Sequence, residues 1–244
     1  MQILTTAGLS KTSFITELTK PIHAFIFLCS LKINQLTTET INIRISRNNS
    51  KGTLLITEQD VPLAQFILAA TMLKNSIGYS VKPAMATCAI VDLTTGGNIQ
   101  LFDNDVIRFE LKGLKATETY DLRGLQSAYN ATHAHVYVKK IAPKDSENPE
   151  FDVLDFDMAV LEDTLDMSEI TLVHNDGTMI AKNIDNFRNE LNQTFNVAQI
   201  LNDGSVDQIF TNQIQIPLLG ARKVIIKKNA GKSANLLLRK NYME

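Results

Sequence analysis

Several groups of side chains in this sequence are of the types that bind metals, hold phosphates or present concentrated charge. His133 and His135 alternate along an apolar stretch, so on a strand both imidazoles share one face and form an H-x-H pair of the kind that opens a metal site. The remaining ligands of such a site are missing: Ser127 stands where the upstream glycine is wanted, and Lys139 and Lys140 where the glutamate is wanted. Gly231-Lys232-Ser233 has the ending of a phosphate-binding loop. That loop needs a glycine five residues earlier, and Ile226 sits there inside a strand-like run, so Asn229-Ala230-Gly231 reads as a hairpin turn.

Charge is distributed unevenly. Asp152, Asp155, Asp157, Glu162, Asp163, Asp166 and Glu169 form an acidic stretch with carboxylates enough for calcium at a subunit contact. Their spacing matches no calcium loop, and the interleaved Phe151, Val153 and Leu154 make them a solvated strand face. Arg222, Lys223, Lys227, Lys228, Lys232, Arg239 and Lys240 follow with no acid before Glu244. This basic region reads as edge charge, with two functional alternatives: pairing with the acidic stretch of a neighbouring subunit, or meeting anionic lipid head groups.

No serine-nucleophile signature and no cysteine–histidine pairing in context occurs, so the expectation is a non-enzyme with no catalytic, cofactor-binding or metal residues. Cys29 and Cys88, the two cysteines, lie in apolar stretches and read as small core hydrophobes. A net charge of −2 gives no basic excess for a phosphate backbone, so no sequence-specific nucleic-acid binding is expected. The longest apolar run, Ile22 to Leu31, is about half of a membrane-spanning helix. Met1-Gln2-Ile3-Leu4-Thr5 lacks the flank of a signal peptide, which fits synthesis in a cytoplasm.

The elements that would carry these residues are strands. Ile41-Asn42-Ile43-Arg44-Ile45, Val106 to Leu111 and Val136-Tyr137-Val138 alternate apolar and polar between turn residues, the pattern of a sandwich or barrel. Residues 1–20 carry polar breaks and read as an N-terminal arm or an edge strand with its partner on another subunit. Two helices are predicted. One begins near Asp60 as N-cap, with Pro62 in its first turn and Leu63, Phe66, Ile67, Ala70 and Leu73 on one face; the other runs from about Asn183 to Gln193 with Ile184, Phe187 and Leu191 inward.

What precedes each helix repeats. Ile41 to Ile45, a turn over Arg47-Asn48-Asn49-Ser50-Lys51-Gly52 and Thr53-Leu54-Leu55-Ile56 match Ile170-Thr171-Leu172-Val173, a turn at Asn175-Asp176-Gly177 and Thr178-Met179-Ile180. Downstream, Val106-Ile107-Arg108-Phe109, a loop at Gly113 and Tyr120-Asp121-Leu122-Arg123 match Val224-Ile225-Ile226-Lys227, a loop at Gly231 and Leu236-Leu237-Leu238-Arg239. A repeat of roughly 120 residues is a duplicated domain. The two prolines and charges of Ala142 to Glu150 mark a linker. The expected organisation is an arm at 1–20, a first jelly roll at 21–142, a linker at 143–150 and a second jelly roll at 151–244.

Ser168 to Ile180 with the following helix bearing Phe187 and Leu191, and Ile41 to Leu73 in the first half, resemble the strand, hairpin and helix unit of double jelly-roll major capsid proteins. These belong to tailless, membrane-containing icosahedral bacteriophages of the corticovirus and tectivirus type. The resemblance implies an all-β fold of two tandem jelly-roll barrels, each with a short helix after a β-hairpin. It further implies a virion location and a homotrimer with pseudo-hexagonal outline. The trimers would contact one another, other capsid and vertex proteins, and a lipid membrane beneath the shell. The shortness of the chain implies short loops and no large tower. Two other readings remain at this point, a receptor- or carbohydrate-binding spike or vertex protein and a cupin-type enzyme.

Overall fold

A computed structural model describes residues 2–6, 12–48, 52–71, 76–77, 85–131, 133–162, 166–195, 198–200, 206–208 and 213–243. The first half runs β1 (Gln2–Thr6), β2 (Ser13–Leu18), β3 (Ala24–Cys29), β4 (Thr40–Ser46), β5 (Thr53–Leu55), β6 (Val61–Pro62), α1 (Leu63–Ala70), β7 (Ser76–Ile77), β8 (Thr87–Asp92), β9 (Val106–Lys112) and β10 (Tyr120–Leu125). The second runs β11 (His133–Ile141), β12 (Glu150–Asp152), β13 (Met158–Glu162), β14 (Met167–His174), β15 (Met179–Asn183), α2 (Ile184–Phe195), β16 (Ala198–Ile200), β17 (Val206–Gln208), β18 (Gln213–Pro217), β19 (Ala221–Lys228) and β20 (Asn235–Met243).

The duplication is visible in the strand order. The first half forms sheets β1-β10-β3-β8 and β2-β9-β4-β5; the second forms β11-β20-β13-β18 and β12-β19-β14-β15, the same two orders with ten added to every label. Two antiparallel sheets facing each other, with four strands each in this order and β6 added beside β4 in the first half, make each half a jelly roll of eight principal strands. In each, the helix follows the hairpin of the fourth and fifth strands, as the sequence pattern predicts.

Alternation builds the sheets. Strands β4 and β9 pair Ile41 with Leu111, Ile43 with Phe109 and Ile45 with Ile107, and all six side chains are fully buried. Each such burial contributes about 1.5–3 kcal/mol relative to exposure. The hairpin turns use glycine where positive φ is required: Gly177 lies at φ +87°, with His174 N donating to Thr178 O at 2.8 Å.

The structure corrects four expectations. Residues 2–6 and 13–18 of the expected arm are β1 and β2, edge strands of the first roll that pair within the chain with β10 and β9. Their alternation is weak because an edge strand buries little; β2 exposes Ser13, Ile15 and Glu17. Strand β11, assigned to the first roll, pairs along its whole length with β20 and opens the second, so the chain passes between rolls after Leu125 and before His133. The expected linker at 143–150 is a loop inside the second roll, bound down where Gly231 N donates to Lys144 O and Ile226 N to Pro149 O. Asp60 does not cap α1: its carboxylate pairs with Lys112 at 2.8 Å, and Leu63 N donates to Glu39 O instead. Leu73 lies outside the described residues.

Candidate assembly interface

The two rolls are joined by α1, all eight residues of which are buried. One side of the helix packs in the first roll, where Phe66 stacks on Phe25 at 6.3 Å between centroids. The other side covers the outer face of the second roll's β13-β18-β20 region. That face is apolar for this reason. Along β13 and β20, Ala159, Leu161, Leu236 and Leu238 point into the second roll's own core, while Met158, Val160 and Leu237 join the core of the first. The continuous Leu236-Leu237-Leu238 run is the signature of a strand buried on both faces.

Polar contacts fix the seam. Gln215 Nε2 donates to Leu68 O at 2.6 Å and Arg239 Nη1 to Ala69 O at 3.2 Å, so two of the helix's final carbonyls, which lack an intrahelical partner, are satisfied by the other roll. Arg239 also holds Asp157 in a fork, Nε to Oδ1 at 3.0 Å and Nη2 to Oδ2 at 2.8 Å. Burial works against the Arg239 charge and the Asp157 hydrogen bonds outweigh it, leaving its pKa above the ordinary value. The outer edge of β11 is used up as well: Tyr137 N donates to Ile56 O at 2.7 Å, Glu58 N to Tyr137 O at 3.1 Å and His135 N to Leu93 O at 2.8 Å. Tyr137 is fully buried against Phe66, which pushes its hydroxyl pKa up.

The residues singled out by chemistry are placed as follows. His135 is buried with Nδ1 2.7 Å from Asn241 Oδ1. Burial lowers its pKa, with the Arg239 charge acting in the same direction. His133 is half-buried near the strand's start. No group of three or more His, Cys, Asp or Glu side chains suited to a metal occurs among the described residues. Gly231 takes φ +79° in the β19–β20 turn, and Lys232 reaches Asp166 at 3.2 Å; a strand, not a helix, follows.

The acidic stretch and the basic region meet each other within one chain. Asp157 pairs with Arg239, Asp166 with Lys232, and Glu150 at the start of β12 with Lys223 at 2.8 Å. Antiparallel pairing of β12 and β14 with β19, and of β13 with β20, brings the two segments together, which the linear sequence does not display. Lys228 is buried and donates to Lys144 O at 3.1 Å, while Asp163 lies outside the described residues.

Cys29 is a core residue, its thiol pushed up to about 12 by burial. Cys88 is not. It lies opposite Leu28 on the outward side of β8 and is half-buried, because its neighbours Thr87 and Ala89 take the inward positions. With Ile26, Ile90 and Arg123 it forms an outward patch on the first roll; Ile90 is 46% exposed. Sequence reading missed this patch because Ala86-Thr87-Cys88-Ala89-Ile90 has no polar alternation to show that one face is open.

The full-length fold has known counterparts. The major capsid protein P2 from bacteriophage PM2 superposes with a TM-score of 0.59 over 100% of this chain and 95% of its own, at 12% identity. A chain from the atomic structure of Sulfolobus turreted icosahedral virus superposes with a TM-score of 0.58 over 100% of this chain and 90% of its own, at 10% identity. At these identities the likeness establishes the shared fold. No protein-family model matches the chain, and no curated protein matches it in sequence.

Proposed function

We propose that this chain is the major capsid protein of a tailless icosahedral virus, a bacteriophage on the PM2 likeness, and that it acts through its surfaces rather than through a catalytic site. The observation that carries this reading is one eight-stranded roll built twice in a single chain, on a fold shared over its full length with a PM2 capsid protein. Two similar lobes per chain let three chains form a ring of six similar lobes, and such rings tile a shell through their sides. A closed ring of identical chains requires that the surface leaving one copy fit a different surface entering the next. The reading further assigns trimer–trimer and vertex-protein contacts to the sides of the ring and a lipid membrane to its inner face, after synthesis in the host cytoplasm.

Sedimentation or light scattering of the purified protein tests it. The expected species has three times the 27.1 kDa chain mass, and electron microscopy of particles containing it should show it as the dominant protein. A strictly monomeric protein, or one present in only a few copies per particle, would sink the reading.

A further inference from the structure

The seam between the rolls encloses a histidine beside a permanent cation. Alternation along β11 puts His135 on the same face as Tyr137, which is fully buried against Phe66 of α1. Register on β20 places Asn241 opposite His135 and Arg239 opposite Tyr137, so the imidazole and the guanidinium are diagonal neighbours on one face. His135 is 7% exposed, and its backbone N–H crosses to Leu93 O of the first roll at 2.8 Å. The ring therefore sits where the two rolls meet, held by an amide: its Nδ1 lies 2.7 Å from Asn241 Oδ1.

The groups that face it from each neighbouring element favour a neutral ring. Strand β20 brings the Arg239 charge and the uncharged Asn241. The loop before β13 brings Asp157, but both of its oxygens are already forked to Arg239. The end of β8 brings Asp92, β11 itself brings half-buried His133 and the Tyr137 hydroxyl, and α1 carries no titratable side chain. A proton on His135 would add a second cation beside Arg239 at a site closed to bulk water. From this placement we infer that the seam is an acid-sensitive latch: protonation of His135 loosens β11 from the first roll before either roll unfolds. Burial, then the Arg239 charge, hold the ring's pKa down against Asn241, Asp157 and Asp92. The unfolded chain takes up the proton near the ordinary value of about 6.5 and the folded chain only below it, so the seam is at full strength above about pH 6.5 and weakens as pH falls. In a protein that acts through its surfaces, the relative setting of the two lobes thereby becomes a function of pH. The latch is a property of the single chain and does not depend on the capsid reading.

Hydrogen exchange of the full chain tests it, followed by mass spectrometry and corrected for intrinsic rates. The amides of Tyr137 and Glu58, which bridge β11 to the segment at Ile56, should lose protection about tenfold between about pH 7.5 and about pH 5, while those pairing β4 with β9 keep theirs. His135→Gln keeps a hydrogen-bonding group that cannot take a charge and should cancel most of that loss; His133→Gln should leave it intact. A His135→Gln protein that loses seam protection as steeply as the parent overturns the inference, and so does an equal loss across β4 and β9. A proton NMR titration of the His135 ring in the unaltered protein decides independently of whether the variant folds. A midpoint below about 6.5 is expected, and one at or above it overturns the latch.

Discussion

Gly113 and Gly231 occupy matching turns of the two rolls, between β9 and β10 and between β19 and β20, and both have positive φ, +69° and +79°. Their surroundings differ. A Cβ on Gly113 would stand 2.2 Å from the Thr38 carbonyl oxygen, whereas nothing lies within 4 Å of one on Gly231. Gly231→Ala should therefore cost the backbone strain alone, about 1–2 kcal/mol. Gly113→Ala should add a clash of about 1–3 kcal/mol, read as a larger drop in the denaturant midpoint; equal midpoints would refute the distinction. That a turn occurs at each glycine is legible in the sequence, but the Thr38 backbone comes from a remote loop. Arg47 shows the same limit. It stands in a polar turn segment, yet the fold buries it in an ion pair with Asp105 at 2.9 Å, 58 residues away.

The helices share an origin and differ in duty. Leu63-Ala64-Gln65-Phe66-Ile67-Leu68-Ala69-Ala70 is apolar almost all round, the composition of a helix covered on every side. Among its described side chains, helix α2 buries Ile184 and Phe187 and exposes Asp185, Asn186, Asn189 and Glu190, while the Leu191 side chain lies outside the described residues. Leu68→Ala should destabilise by about 2–5 kcal/mol, since it opens a cavity at the seam. Asn189→Ala, at the corresponding position, should stay within about 0.5 kcal/mol in the monomer. Thermal or denaturant unfolding of both variants checks this, and a comparable loss at the two sites would show that α2 is not an open surface. Periodicity alone predicts both helices, α2 close to its observed span. The caps differ: Asp60 is drawn to Lys112, whereas Asn183, just before α2, caps that helix, its Oδ1 accepting Asp185 N at 2.9 Å.

At the scale of the molecule, the rolls do not behave as separable domains. Met158, Val160 and Leu237 of the second roll belong to the first roll's core cluster, and the β11 edge is hydrogen-bonded to the segments at Ile56 and Leu93. Cooperative loss of shared core predicts a single unfolding transition, coincident by far-ultraviolet circular dichroism and by tyrosine fluorescence. Two resolved transitions would mean that the seam is weaker than its burial implies. The Pro-rich segment near 143–150 resembles a boundary because polar loops within and between domains have the same composition. Only the pairing of β11 with β20 moves the boundary to its place before His133.

Alternation, two amphipathic helices and one repeated hairpin-and-helix unit were enough for the sequence by itself to determine a duplicated all-β chain. These are properties of neighbours along the chain, and period-two burial and helical spacing encode them locally. The tertiary structure alone decided which strands close which roll, that Asp157 and Asp166 of the acidic segment pair with Arg239 and Lys232 of the basic one, and that α1 is spent on the intrachain seam while Asn189 and Glu190 of its counterpart α2 are exposed. Each of these depends on contacts between residues far apart in sequence. The two copies of the unit look alike in the linear chain, and only packing distinguishes the helix that is buried all round from the one whose outer side is exposed.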